Sequence, residues 1–230
     1  MKKGRELRQR SADVNPVEKA FVAGSCLSLA VLYSALERPQ ESEEMFLETL
    51  AVYKKYYDDG SSSYKAKYAD ARAGLGDLYR KTGRLDESKT ELDTALAIYR
   101  QLVKDTHGRH RPECARVCIE AGILYGELGN SKEAAALFEE ARELLRDSIR
   151  ANQAVYCGIE ACAMYNYAIA LLKSGLSDSA KDAFADALSR ASLCADSDNE
   201  CAQIAEKIRA ASPNPPTEYL SPAVSRLYSI

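Results

Sequence analysis

Residues of matching size recur along this chain at a fixed interval of 46, and that regularity restricts the fold more than any other feature. Ala30, Gly76, Gly122 and Ala168 form one column, and Tyr33, Tyr79, Tyr125 and Leu171 form the next. Glu37, Gly83, Gly129 and Gly175 follow, then Ser42, Ser88, Ala134 and Ala180. Phe46, Leu92, Phe138 and Phe184 come after them, and Thr49, Ala95, Ala141 and Ala187 close the set. Within a unit the spacings of 3, 4 and 7 put these residues on one stripe of a helix, and the glycine column separates two such stripes. Each unit is therefore expected to be a helix, a tight turn and a second helix. The small column lets two backbones approach while the aromatic columns fill the space beside them. Glycine suits the turn because a helix C-terminus commonly ends on a left-handed residue, and Glu37 alone departs from it. Ser131 and Ser177 are placed to cap the second helices, and Pro39 to open one.

The fold expected is all-α: an α-solenoid of four antiparallel helix–turn–helix units, 17–60, 64–107, 111–151 and 155–196, closed by a capping helix at 197–211. The breaks YYDDGSSS and DTHGRHRP are polar and glycine-bearing, as inter-unit loops should be. Residues 212–230 carry four prolines without helical period and read as a flexible tail. Residues 1–16 read as a basic segment that can be the remnant of a preceding repeat helix, so the chain can be a piece of a longer array.

A formal net charge of −3 provides no global attraction to nucleic acid, which is not expected as a partner. The longest mostly apolar stretches, such as LSLAVLYSAL, fall short of the roughly 20 residues of a membrane helix, and no membrane is expected. Seven cysteines without CxxC spacing, and no apolar segment after the basic start, point to reduced thiols and a cytoplasmic location. His110, Cys114 and Cys118 could supply three metal ligands, but a fourth is missing, so neither a metal nor a cofactor is expected. The two histidines, His107 and His110, sit in a loop outside any nucleophile or acid–base motif, and no phosphate-cradling glycine loop appears; the chain is not expected to be an enzyme.

The columns resemble the tetratricopeptide repeat over residues 17–196: a small residue, Tyr three later, Gly at the turn, then Ala, a bulky residue and Ala. The long period, with HRPECARV and ALAIYRQL, is similar to the kinesin light chain type of repeat. The resemblance implies asparagines before the small column that hold a bound peptide's backbone. Asn166 in MYNYA is the one present, with Ser28, Gly74 and Glu120 at the matching places. The carboxylate clamp by which some relatives capture chaperone tails is not reproduced at Gly24, Asp70, Arg116 and Cys162.

First helices line the inner face of such a stack, and binding is expected there. The candidates are Asp70, Asp77, Arg80 and Lys81; Arg116, Ile119, Ile123 and Glu127; and Tyr165, Asn166, Ile169 and Lys173. The function expected is a non-catalytic interaction module or scaffold that binds a peptide or helix of a protein partner on this concave face. Two alternatives stay open: salt-sensitive binding of nucleic acid or an acidic surface through Lys2, Lys3, Arg5, Arg8 and Arg10, and self-association through the N-terminal end. The tail, with Tyr219, Leu220, Val224, Leu227, Tyr228 and Ile230, can also fold back as a weak internal competitor.

Overall fold

In a computed structural model, residues 16–58, 62–194, 199–210 and 215–220 are described. They form helices α1 (Pro16–Ala35), α2 (Pro39–Asp58), α3 (Ser62–Lys81), α4 (Leu85–Asp105), α5 (Arg111–Glu127), α6 (Ser131–Ala151), α7 (Gln153–Lys173), α8 (Ser177–Cys194) and α9 (Asn199–Ala210). Helices α1–α8 pair in order as antiparallel hairpins, and each pair packs on the next. Among the described residues no strand is present, and the molecule is an all-helical repeat solenoid.

The hairpin turn is the same object four times. Its pivot is left-handed, with φ of 79°, 83° and 81° at Gly83, Gly129 and Gly175 and 56° at Glu37. Beyond the pivot, the N–H groups of Arg38, Arg84, Asn130 and Leu176 donate to the carbonyls of Tyr33, Tyr79, Tyr125 and Leu171, the long bond of a Schellman motif. The carbonyls of those same four residues then accept the first bond of the next helix, from Ser42, Ser88, Ala134 and Ala180. One residue thus ends one helix and starts another. This shifts the expected caps: Ser131 and Ser177 are the first helical residues, and Asn130 in the cap position makes no side-chain cap bond.

The small column works as the spacing predicted. A methyl added at Gly122 would come within 2.7 Å of the Phe138 ring, and one at Gly76 equally close to Leu92, so glycine here sets how near the two helices of a unit can lie. Phe46, Leu92 and Phe138 are fully buried behind it, each worth about 1.5–3 kcal/mol relative to exposure. A polar contact also repeats: the Tyr53 hydroxyl donates to the Ala20 carbonyl at 3.1 Å, and the Tyr99 hydroxyl, 46 residues on, lies 3.3 Å from the Ala66 carbonyl while its proton is shared with Asp70. In units three and four that column is Leu145 and Ala191, and the bond is replaced by apolar contact.

Helix α9 lies against α8 and α7. Cys201, Ile204 and Ala205 on its inner face are buried, and the Cys201 and Cys157 sulfurs stand 3.9 Å apart. One helix exceeds the apolar length expected from sequence: Val155–Lys173 is long and apolar enough to cross a membrane by composition alone, but it is 78% buried within the fold and serves as a core helix. At the opposite end α1 shows Phe21, Val22, Leu29 and Leu32 to solvent, and the turn after it shows Leu36.

Candidate functional site

First helices of successive units touch one another, α1 with α3, α3 with α5 and α5 with α7, whereas successive second helices meet chiefly through the first helix between them. The first-helix side is therefore the narrow, concave one, and all twelve candidate residues lie on its helices.

Between α3 and α5 those residues engage each other. Arg116, only 2% exposed, donates to Asp70 at 2.9 Å and to Glu120, one turn along its own helix, at 2.9 Å. The Tyr99 hydroxyl closes the group with a short bond to Asp70, and burial beside that carboxylate pushes the phenol well above its usual range. Nearer the turn, Arg80 bridges Asp77 and Glu127, each at 2.8 Å, and Lys81 reaches Asp77 at 2.6 Å. Burial alone would raise the Asp77 carboxyl; Lys81 and Arg80 overcome it and hold the group below its ordinary value. Glu120 goes the other way, pushed up by burial against the opposing pull of Arg116, and its Oε2 has no hydrogen-bond partner.

Between α5 and α7 the face holds a second piece of chain. Asn166, fully buried, accepts a hydrogen bond from the Leu220 N–H at 2.7 Å and donates its own amide to the Leu220 carbonyl at 2.7 Å. The Cys162 thiol donates to the same carbonyl at 3.2 Å. The adjacent Tyr219 ring lies 5.9 Å from the Phe138 ring, with the Lys173 ammonium 4.2 Å from its centroid. Its floor is Gly126, where any added methyl would overlap the phenol. Of the two readings of the tail over 212–230, flexible and folded back into the groove, residues 215–220 follow the second. A two-way bond to a buried carboxamide and an aromatic seat outweigh the entropy of ordering a few residues. Its other apolar residues, Val224, Leu227, Tyr228 and Ile230, lie outside the described residues, as do Lys2, Lys3, Arg5, Arg8 and Arg10.

The remaining candidates support the face from behind. Ile119, Ile123 and Ile169 are buried in the continuous core, and Tyr165 packs edge-on against Phe184 at 5.9 Å. Of the twelve, Asn166 and Lys173 touch the docked segment. Gly126 was missed, and its column carried a signal: Ser34, Arg80, Gly126 and Leu172 place a glycine where no packing column needs one. A glycine inside a helix costs about 1 kcal/mol relative to alanine, so it marks a close approach. Cys114 and Cys118, both buried, gather with Glu140 rather than His110, their ligand atoms within 4.8 Å of one another. Glu140 is already held by the Arg100 fork, which competes for the carboxylate a cation would need.

A search of curated proteins finds no significant sequence match. In fold the chain is similar to the apo form of RapI, with TM-score 0.69 and 15% identity over 90% of this chain and 67% of that one. It is similar to aspartyl phosphate phosphatase F from Bacillus subtilis, with TM-score 0.65 and 11% identity over 85% of this chain; it spans about half of that protein, 47%. A Podosopora anserina kinesin light chain protein with nearly identical TPR-like repeats aligns with TM-score 0.59 and 17% identity over 81% of this chain and 92% of its own. At these identities the likenesses speak for the fold alone. The family model of the tetratricopeptide repeat matches residues 25–101 and again 67–147, together more than half of the sequence, and the chain belongs to the tetratricopeptide repeat family.

Proposed function

We propose that this protein is a non-catalytic interaction module that binds an extended segment of a protein partner on its concave face, between α5 and α7. The observation that carries the reading is the paired bond between Asn166 and the backbone of Leu220. A carboxamide that both accepts from an N–H and donates to the carbonyl of one residue recognises main chain in extended form, whatever the side chain. The rest of the face supports the same role by being preorganised, since the paired charges of α3 and α5 hold the first helices in place without needing a ligand. Self-association through α1, whose outer stripe is apolar, and a cytoplasmic location remain part of the proposal.

Selection from a displayed library of random peptides on the intact protein tests it. Binders should lose most of their affinity on Asn166→Ala, and backbone NMR shifts should map them to α5 and α7. Binders that ignore Asn166→Ala and shift residues of the second helices would place recognition on the other face and end the reading.

A further inference from the structure

We infer that this groove is built for an extended segment with an aromatic residue followed by an aliphatic one, and that Tyr219-Leu220 is its resident occupant, which a partner carrying the same pair must displace. The inference rests on the interaction reading above and gives that partner its chemistry.

Three features divide the labour. The main-chain grip by Asn166 and Cys162 sits at one residue, Leu220, whose side chain is half-buried against the core. The preceding position is read by shape: the Gly126 floor, the Phe138 wall and the Lys173 ammonium accept a flat ring with an electron-rich face. The Tyr219 hydroxyl is buried with the Ser131 side chain near it but makes no well-formed hydrogen bond, so the seat reads chiefly the ring. Of the positions before it, Pro215, Thr217 and Glu218 are exposed and Pro216 is half-buried, which leaves the groove less to select there. Proline suits them, since it favours extended backbone and its missing N–H is not called upon.

Gly126 is what makes the seat specific to its place. Unit two has Arg80 at the equivalent position, engaged with Asp77 and Glu127, and unit four has Leu172. A ring fits only where α5 lacks a side chain. The occupant is also tethered: the segment follows α9 closely in sequence, so its effective concentration is high and a weak intrinsic affinity keeps it seated. A separate partner with the same pair must out-compete that advantage by tighter contacts or by several copies.

The test uses the intact protein and a fluorescein-labelled peptide of residues 213–222, followed by anisotropy. With the resident ring removed, Tyr219→Ala should bind the peptide at least about tenfold more tightly than the native protein. Adding Gly126→Ala to that variant should cost at least about tenfold, although alanine favours the helix and the thermal midpoint should not fall. A peptide with phenylalanine at the tyrosine position should bind as the parent does, and one with alanine there should not. Equal affinity of the native protein and Tyr219→Ala, indifference to Gly126→Ala, or no binding to Tyr219→Ala would each overturn the inference. Library-selected ligands that need Asn166 but lack an aromatic–aliphatic pair would also sink it, while leaving the interaction reading standing.

Discussion

Between α3 and α5 the concave face pairs its polar groups with one another; between α5 and α7 it offers them to another strand of chain. The two regions use equivalent positions. Asp70, Arg116 and Cys162 share one column, and Gly74, Glu120 and Asn166 share another. In the first region Arg116 reaches back one full period to Asp70 and along its own helix to Glu120. In the second, a thiol and a carboxamide replace charge, and both find the Leu220 backbone. The difference shows what a main-chain reader requires: an ionised carboxylate can only accept, whereas Asn166 accepts and donates at once. Charge makes one half a strut, and its absence makes the other half a receptor.

Removing Arg116 should break this contrast most severely. Arg116→Ala leaves Asp70 and Glu120 facing each other in a buried setting, and denaturant unfolding should show a loss of about 3–5 kcal/mol. Asn166→Ala should act on the other half, at smaller cost. It deletes both bonds to Leu220, each worth about 0.5–1.5 kcal/mol, and hydrogen exchange of the Leu220 amide should accelerate while the α3–α5 network keeps its protection. If Asn166→Ala destabilised the whole chain as much as Arg116→Ala does, the division into strut and receptor would be wrong.

Three further substitutions set the first hairpins against the later ones. Glu37 occupies the left-handed pivot that is glycine in the other units, so Glu37→Gly should raise stability by about 1 kcal/mol in the same denaturation measurement. Ser88 carries a buried hydroxyl without a partner, whereas Ser42, one period earlier, donates to the Ala30 carbonyl at 2.8 Å. Ser88→Ala, which matches Ala134 and Ala180, should be neutral or stabilising by about 1 kcal/mol, and Ser42→Ala should destabilise by a similar amount.

The mildest test is pH. Burial raises the Glu120 carboxyl, so between the ordinary glutamate range and the raised value the folded chain binds more proton there than the unfolded chain does. Stability should therefore fall as pH rises from the ordinary glutamate range to the raised value, and level off above it. Glu120→Gln should flatten that limb. Asp77 has the opposite sign: it is held low by Lys81 and Arg80, its contribution is present above the usual aspartate range, and it is lost as pH drops through the lowered value. Asp77→Asn should flatten the acid limb instead.

Much of the architecture was legible because one interval repeats in packing, in turn and in polar contact: Tyr53 to Ala20 recurs as Tyr99 to Ala66. The candidate face was legible as a surface and less so as a site. Asn166 stood out by its column, and Lys173 by its place on the first helix. Gly126 did not, because in a sequence already crowded with packing and turn glycines it looked like one more of them. The return of the tail to the groove was among the readings of the sequence, but Leu220 lies 54 residues from Asn166 and belongs to no period, so nothing local paired the two. The charge network was visible only as a list of charged residues, since periodicity fixes which helix face a residue takes and says nothing of which neighbour its long side chain chooses.

The bond from Leu220 back to Asn166 also has a consequence for how such an array can grow. A unit duplicated ahead of α1 would leave it untouched. A unit inserted after α8 would carry α9 and the segment beyond it roughly one hairpin further along the stack and out of reach of Asn166. Lineages that lengthen this protein should therefore add repeats at its front, because its back is fixed by the distance over which the chain returns to itself.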